Sequence, residues 1–562
     1  MIVYVVLIAV AIFLLGYRFY GNFLSRKLEL DNSRPTPACQ MNDGVDYVPA
    51  KPTLLLGQHF SAISAAGPIV GPILAAIWFG WMPVLLWIIL GAIFVGGAHD
   101  FSSLVASIRH KASSVGEIVK QYMSPTSHIL FLSFVWLALI YVVIAFTDIT
   151  AQTFKWGTTE VAFGSGVAIS SVLYLVLGVL MGISLYKFKL NLKIATLIFL
   201  PLVLGIVWLG PKFPQPVISF VSGISIKKWD MILLIYCFIA SLVPMWILLQ
   251  PRGYLGGWLL YLTILTGLLG ALFGGFHIQY PAFNVKGLES LANGKLIFPI
   301  LFITIACGAC SGFHAIVSSG TTSKQLLRES DARIVGYGAM LLEGLVAVLA
   351  LATVMMIPKG EAILKSDPNL IYANGLARYL ALVGVNFNIA FPFALLAFAT
   401  FVYDTLDVCT RLARYILQEL LGWKTAVGAF LATFVTLLLP AIFLMLTKEK
   451  GYLVAWPIFG TSNQLLASLT LLVISVWLIR TKRNAVYTII PMVFMMIVTM
   501  WSLVLQVLPF LGSFPGIFSG KTLQPTILIS GTLGIILFIL GVWLIFEAIN
   551  VLALKRATVK ET

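Results

Sequence analysis

Residues 57–72 read GQHFSAISAAGPIVGP, which places a histidine, small residues and two Gly-Pro pairs inside an otherwise apolar stretch. Proline lacks a backbone N–H and clashes with the preceding helical turn, so the two pairs predict a broken helix. An ionisable side chain in a lipid-spanning helix is costly and marks a pathway or a binding site by default. A broken helix is tolerated there only where protein or a water-filled cavity satisfies its backbone groups. The stretch therefore indicates a transporter.

Three further segments interrupt apolar stretches with polar or small residues. They are GGAHD at 96–100, ACGACSGFH at 306–314 and YDTLD at 403–407. The same reasoning applies to each, because each carries an ionisable group where a membrane span is expected.

The composition is that of a helical membrane protein. Of the 562 residues, 60% are hydrophobic and only 10% are charged, and the mean hydropathy is +1.00. No soluble domain has this balance. The formal net charge of +15 comes from basic residues scattered between apolar stretches, which argues against nucleic acid and indicates contact with lipid headgroups. The five cysteines lie mostly within apolar stretches, which argues against a disulfide framework.

Apolar runs predict an all-α polytopic membrane protein with about 15 transmembrane helices. The runs lie near 2–20, 54–78, 81–107, 128–150, 166–186, 192–210, 230–249, 254–275, 296–318, 335–357, 388–411, 426–446, 452–479, 485–509 and 526–549. Most basic residues at their ends, Arg26, Arg109, Arg252 and Arg480 among them, fall on one side, which predicts the cytoplasmic face. The N-terminus is then outside and the C-terminus inside. A short or interfacial helix is expected at 370–384.

An internal repeat is expected from two matching segments. Residues 59–67 (HFSAISAAG) align without gaps with residues 312–320 (GFHAIVSSG), and the two segments open spans that run in opposite directions. Inverted five-helix repeats over about 54–210 and 296–479 follow, with binding sites at their broken helices. The expected organisation is an N-terminal anchor helix and long loop (1–52), a first repeat (53–210), intervening helices (211–295), a second repeat (296–480) and C-terminal helices (481–562).

Several long motifs carry a family resemblance. They are GQHFSAISAAGPIVGP (57–72), GGAHDFSSL (96–104), QPRGYLGGWLLY (250–261), LFITIACGACSGFHAIVSSGTTSKQL (301–326), GYGAMLLEG (336–344), DTLDVCTRLARYILQE (404–419) and WPIFGTSNQLLAS (456–468). The chain resembles the carbon starvation protein A family from about Tyr47 to Ser468. The resemblance implies an inner-membrane secondary transporter for peptides or pyruvate, driven by protons, with a fold like the amino acid–polyamine–organocation superfamily. Gln58 and Ala65 stand where the family usually has a histidine and a glycine.

Substrate binding is predicted at the two broken spans. The start of a half-helix exposes free N–H groups that suit a carboxylate, and pyruvate and peptide C-termini both carry one. The predicted substrate-binding residues are His59, Gly67, Gly71, Ser318, Ser319, Thr321, Asn463 and Gln464. Each has a plainer alternative. The glycines can serve packing alone, the run 318–324 can be a loop leaving the membrane or a Na⁺ site, and the cluster 461–464 can bond neighbouring helices.

Ionisable residues inside the predicted spans are the candidates for proton coupling. They are His99, Asp100, His314, Glu343, Asp404 and Asp407. Histidine titrates near neutral pH, and Asp100 can orient the adjacent His99. Asp404 has no obvious partner, whereas the spacing of Asp407 and Arg411 predicts an ion pair along one helix face. A metal site built from the histidines with Asp100 or the cysteines is an alternative. No metal and no cofactor are predicted, because the sequence does not bring such ligands together.

The sequence thus predicts an inner-membrane secondary active transporter that imports short peptides or pyruvate by proton symport, with Na⁺ as the other possible ion. The alternatives are a channel or facilitator, a membrane enzyme and a transporter-like nutrient sensor. The sequence contains no Walker A motif, no HExxH and no GxSxG, which argues against a built-in ATPase and against common hydrolases. A sensor would need a small cytoplasmic partner protein to pass its signal on.

Overall fold

The computed structural model describes residues 1–43, 47–157, 163–244, 246–284, 291–292, 295–447, 450–518 and 525–553. Within these ranges nearly all regular structure is helical. The first helices are α1 (Ile2–Lys27), α2 (Pro37–Gln40), α3 (Pro52–Ile63), α4 (Gly67–Phe79), α5 (Trp81–Leu90), α6 (Gly97–Arg109), α7 (Val115–Tyr122), α8 (Pro125–Lys155), α9 (Phe163–Tyr186), α10 (Leu192–Leu209) and α11 (Gln215–Gly223).

The remaining elements include one small hairpin of two antiparallel strands, β1 (Leu291–Ala292) and β2 (Lys295–Leu296). The other helices are α12 (Ile226–Leu242), α13 (Leu249–Phe273), α14 (Ile297–Thr304), α15 (Gly312–Gly320), α16 (Ala339–Met355), α17 (Pro368–Ala381), α18 (Phe387–Leu421), α19 (Ala426–Leu446), α20 (Gly451–Arg480), α21 (Val486–Phe518) and α22 (Pro525–Ala553). Two π-helical segments, Gly91–Gly96 and Arg333–Gly338, lead into α6 and α16.

The chain is an all-helical multi-pass membrane protein. In the described ranges, twelve helical stretches are long and apolar enough to cross a membrane, and the bent pair α3 and α4 makes a thirteenth. This count is lower than the predicted 15. The predicted span at 230–249 corresponds to α12, which has only 17 residues, and the one at 296–318 falls on the separate short helices α14 and α15. The predicted short helix at 370–384 is α17, which is mostly buried against α13, α16 and α18.

The predicted break in the second span is present between α3 and α4. Helix α3 ends at Ile63, because the backbone of Ser64 leaves helical geometry with φ −86° and ψ 78°. Helix α4 begins at Gly67, and Pro68 lies in its first turn, where a missing N–H costs no hydrogen bond. The two helix axes differ in direction by 47°.

A second break separates α14 from α15 at residues 305–311, and the two breaks cross each other. A Cβ atom built on Gly71 would lie 2.4 Å from the carbonyl oxygen of Thr304. A Cβ atom built on Gly67 would lie 2.4 Å from the Sγ of Cys307. Because no real Cβ atom approaches so closely, the crossing requires glycine at both positions.

A backbone tether joins the segment before α3 to the segment after α15. The N–H of Val48 donates to the carbonyl oxygen of Lys324 at 3.2 Å, and the N–H of Ala50 donates to that of Gln325 at 2.8 Å. Ala50 and Leu326 also form a parallel bridge. The tether places the start of α3 beside the end of α15, and the crossing places α4 beside α14. The two broken spans therefore run antiparallel, while the full inverted repeat stays a prediction.

Candidate functional site

A narrow cavity, called here the central cavity, lies between α3, α13, α18 and the residues that follow α15. Its volume is about 50 Å³. It is lined by Leu55, Gln58, His59, Ala62, Leu249, Gly253, Thr321, Thr322, Gln325, Asp404, Val408, Arg411, Leu412 and Tyr415. A mostly apolar wall with a few convergent polar and charged groups is typical of a small-molecule site.

The central cavity adjoins two wider cavities. One, of about 960 Å³, shares Gln58 and Gln325 with it, and the other, of about 280 Å³, shares Thr321, Leu412 and Tyr415. The wider cavities are lined in part by lysines at helix ends, including Lys51, Lys193 and Lys324. The central cavity therefore lies next to openings on the side that carries most basic residues.

His59 stands on α3, one helical turn before the break, and its side chain is buried. Its Nδ1 lies 2.8 Å from the Oγ1 of Thr322, in the segment after α15. Its Nε2 has no hydrogen-bond partner among the described residues. One imidazole thus links the two broken spans and keeps a nitrogen available for a ligand or a proton.

A charge network centred on Arg252 adjoins the cavity. Nε of Arg252 donates to Oδ1 of Asp404 at 2.7 Å, and its Nη1 lies 2.5 Å from Oδ2 of Asp407. Tyr236 donates to Oδ2 of Asp407 at 2.7 Å and accepts a hydrogen bond from Arg252. Ser61 donates to Oδ2 of Asp404 at 2.6 Å. The network therefore joins α3, α12, α13 and α18 through polar side chains.

The Arg252 network is short of positive charge. The side chains of Arg252 and Asp407 are fully buried, and that of Asp404 is 4% exposed. Two ionised carboxylates around one guanidinium would leave one negative charge unbalanced, and an uncompensated buried charge is strongly unfavourable. A single proton on either carboxylate restores neutrality. Because Asp404 also lines the central cavity, the network is suited to exchange that proton with the cavity.

A second buried network joins α6, α15 and α16. Nδ1 of His99 and Nδ1 of His314 lie 2.7 Å from the two oxygens of Asp100, which as a carboxylate accepts from both rings. On the other side of the ring, Nε2 of His314 is 3.2 Å from Oε2 of Glu343, without hydrogen-bond alignment. The expected contact of Asp100 with His99 is thus present, and Asp100 also contacts His314. The four side chains form one buried cluster of ionisable groups.

The predicted pair of Asp407 and Arg411 is wrong. Asp407 instead pairs with Arg252 on α13, and Arg411 donates to the carbonyl oxygen of Ala240 at 2.8 Å. Asp404, which has no obvious partner in the sequence, shares the same guanidinium. An ion pair four residues apart contributes only a few tenths of a kcal/mol, so tertiary contacts to α12 and α13 easily override it.

Of the eight predicted substrate-binding residues, two line the central cavity, His59 and Thr321. Asn463 accepts from the N–H of Phe313 at 2.9 Å, and Gln464 donates to the carbonyl oxygen of Phe302 at 2.5 Å. These two amides therefore bond α20 to the broken span of α14 and α15. This agrees with the alternative given above for residues 461–464, that the cluster bonds neighbouring helices.

The remaining predicted residues lie in the helices that follow the two breaks, α4 and α15. Ser318 is buried and its Oγ has no partner among the described residues, whereas Ser319 bonds the carbonyl oxygen of Ala315 at 2.7 Å. Ser319 also lines the 280 Å³ cavity. Gly67 and Gly71 serve the crossing of the two breaks. The two glycines therefore allow the close approach of the two broken spans.

A metal-binding arrangement is found away from the predicted histidines. In the described part of the chain, the one group of three converging ligand atoms is formed by Glu117, His128 and Glu419. Its members are partly or fully exposed, and Nε2 of His128 lies at hydrogen-bond distance, 2.9 Å, from Oε1 of Glu419. All five cysteines are free thiols.

Sequence reasoning missed Arg252, the centre of the first network. It was interpreted only as a basic residue at the end of a span, although it lies within α13 and is fully buried. A signal was present in the sequence, because Gly256 and Gly257 follow this arginine by about one helical turn and allow α18 and α3 to approach.

Comparison with known proteins points to one family. The family model described as carbon starvation protein CstA matches residues 1–374 and 359–502. The peptide transporter CstA of Helicobacter pylori (strain ATCC 700392 / 26695) is 33% identical, over 90% of this chain and 82% of that protein. The pyruvate/proton symporter BtsT of Escherichia coli (strain K12) is 31% identical, over 90% and 81%. A crystal structure of a manganese transporter from Eremococcus coleocola aligns over 91% of this chain and 99% of its own, with 13% identity and a TM-score of 0.35, too low to support an argument.

Helices that break around a cavity, with buried charges beside it, define a multi-pass membrane transporter. The chain belongs to the carbon starvation protein CstA family, as its motifs predicted. The relatives named above are transporters and not enzymes.

Proposed function

We propose that the protein is a secondary active transporter that imports short peptides or pyruvate across the cytoplasmic membrane by proton symport. The names of the relatives support both substrates, and that of the Escherichia coli symporter supports the proton. That these relatives are bacterial supports the cytoplasmic membrane as the location.

The observation that carries the proposal is that Asp404 belongs to two features at once. Its carboxylate lines the central cavity and also belongs to the Arg252 network, which lacks one positive charge. A proton that enters the cavity can neutralise this network, and its loss restores the imbalance. Differential stability of protonated and deprotonated states is what a symporter needs to link the proton gradient to a conformational change.

The second network offers a further proton-accepting group near the crossing of the breaks. His314 lies between Asp100 and Glu343, and one proton between Nε2 and Oε2 would satisfy both atoms. Because this cluster connects α15, part of a broken span, to α6 and α16, its protonation would bias the position of the break.

The size of the central cavity favours the smaller substrate in this conformation. A buried water needs on the order of 10–15 Å³ when cavity volume is measured in the same way, so about 50 Å³ holds only a few small groups. Pyruvate fits such a space more readily than a dipeptide, for which the walls must move apart.

Uptake into proteoliposomes tests the proposal. Labelled pyruvate and labelled dialanine are supplied in parallel, with an inward proton gradient, with an inward sodium gradient and with neither. We expect saturable uptake of at least one substrate that depends on the proton gradient and is lost with a protonophore. Uptake that does not depend on any gradient would indicate a facilitator. Uptake that requires the sodium gradient would identify Na⁺, and not the proton, as the coupling ion. Uptake of neither substrate by folded protein would contradict the proposal.

A further inference from the structure

Arg411 stands out among the charged residues of the central cavity, because it forms no ion pair with any described residue. Its Nη2 donates to the carbonyl oxygens of Ala240 and Val243, where α12 ends, and its Nε has no hydrogen-bond partner within the described ranges. Carbonyls at a helix C-terminus carry only partial negative charge. They hold the guanidinium in place but do not neutralise it.

The carboxylate that lines the same cavity is already engaged. Asp404 lines the same cavity, but its two oxygens accept from Arg252 and Ser61. The other polar groups of the wall, including His59 and Gln58, carry no fixed negative charge. A cation that is 6% exposed and lacks a counter-ion leaves a place for an anionic ligand.

We propose that Arg411 is the residue that binds the carboxylate of the transported substrate, an inference that rests on the proposed function. Arginine forms charge-assisted hydrogen bonds with carboxylates through its planar array of N–H donors. The substrate carboxylate would take the free Nε–H of Arg411, while Thr322 and His59 contact the rest of the molecule from the opposite wall. This site differs from the half-helix N-termini that the sequence indicated.

The cavity wall also implies a preference among carboxylates. A zwitterionic peptide brings an ammonium group that needs its own carboxylate, and the only one in the central cavity is held by Arg252. A monocarboxylate without an amine leaves no such group unpaired. We therefore expect the Arg411 site to bind small monocarboxylates more tightly than short zwitterionic peptides.

Arg414 provides a matched control. It lies on the same helix, and its Nη1 donates to the carbonyl oxygen of Ser241 at 2.7 Å, also at the end of α12. Its Nε likewise has no partner among the described residues. Unlike Arg411, however, it does not line the central cavity. Loss of helix anchoring alone would affect both arginines alike.

The test compares ligand pairs that differ only in charge, using purified full-length protein in detergent. Binding of pyruvate is measured against pyruvamide, and binding of dialanine against dialaninamide, for the wild type, Arg411→Gln, Arg411→Lys and Arg414→Gln. We expect the wild type to prefer the carboxylate of at least one pair. Arg411→Gln should weaken binding of that carboxylate at least about tenfold and bind the amide as before, because charged hydrogen bonds are lost. Arg414→Gln should stay within about twofold of the wild type.

Each outcome decides the inference. If Arg411→Gln keeps the preference for the carboxylate, or Arg414→Gln loses it equally, Arg411 does not bind the carboxylate, and the proposed function can still stand on the uptake assay. If the wild type binds no carboxylate, both the inference and the proposed function fail. Should Arg411→Gln not fold, Arg411→Lys decides, since it keeps the charge but lacks Nε: undiminished carboxylate affinity would overturn the role of Nε.

Discussion

Asp404 is the residue at which the charge network and the cavity meet. We predict that Asp404→Asn abolishes proton-driven accumulation, because a neutral amide can no longer take up the proton that balances the Arg252 network. Accumulation should fall at least about tenfold, which corresponds to about 1.4 kcal/mol. Exchange of labelled for unlabelled substrate across the membrane, which needs no net proton movement, should persist.

A carboxylate elsewhere on α18 serves as the control for this prediction. Glu419 bonds His128 at 2.9 Å and does not line the central cavity, so Glu419→Gln should leave accumulation within about twofold. Proton-driven accumulation by Asp404→Asn at the wild-type level would exclude Asp404 as a coupling residue.

The sequence predicts individual residues well only where their partners are close in the chain. The contact of His99 with Asp100 follows from their adjacency, and the structure confirms it. Glu343 and His314 are both predicted as buried ionisable groups, but their contact depends on how α15 packs beside α16. The same limitation produced the wrong partner for Asp407, since Arg252 lies far away along the chain.

At the scale of elements, the breaks were the most predictable feature. The first Gly-Pro pair coincides with the break between α3 and α4, because proline is favoured at the start of a helix. The break predicted at the second pair is wrong, since Pro72 lies inside α4. The unwound segment 305–311 contains no proline, and only its small residues and ionisable neighbour indicate it. The span predicted at 230–249 corresponds to the shorter helix α12 (Ile226–Leu242), whose 17 residues are too few for a full span.

The crossing of the two broken spans yields a stability prediction. Gly71→Ala should destabilise the protein by about 1–3 kcal/mol, because its Cβ would meet the backbone carbonyl of Thr304, which cannot rotate away. Gly205→Ala in α10 is the control. A Cβ there meets nothing within 4 Å, so the change should be neutral or stabilise the helix by up to about 1 kcal/mol.

The apparent Tm of both glycine variants is measured by thermal unfolding in detergent, with the loss of soluble monomer as the readout. We expect a lower apparent Tm for Gly71→Ala and an equal or higher one for Gly205→Ala. Equal stability of the two variants would mean that the breaks do not cross as closely as described. Since the crossing also positions the cavity wall, Gly71→Ala should reduce uptake more than its loss of folded protein explains.

For the whole molecule, the backbone tether between residues 48–50 and 324–326 implies that the two broken spans move together on the side of the protein that carries most basic residues. We predict that a disulfide between Ala50→Cys and Leu326→Cys, formed in a Cys39→Ser background, leaves uptake within about twofold. The two positions already form a bridge, so the disulfide fixes a contact that transport does not break. Loss of uptake on oxidation, restored by a reductant, would show instead that the tether opens during each cycle.

The sequence predicts the fold class of the whole molecule, but it does not predict which segments contact each other. Hydropathy identifies most of the spans, because the bilayer imposes their length. It does not show that residues 48–50 pair with 324–326, since neither segment has a pattern typical of a strand. The central cavity is likewise formed by segments from four distant parts of the chain, which no local pattern brings together.

The tether also predicts how this part of the molecule tolerates sequence change. Its hydrogen bonds join main-chain N–H and carbonyl groups, so most side chains at these positions can be exchanged in evolution without weakening it. A one-residue insertion or deletion is different, because it shifts the register and turns every side chain in the segment to the opposite face. We therefore expect that, among distant relatives, the identity of these residues varies while the number of residues between position 50 and His59 stays the same.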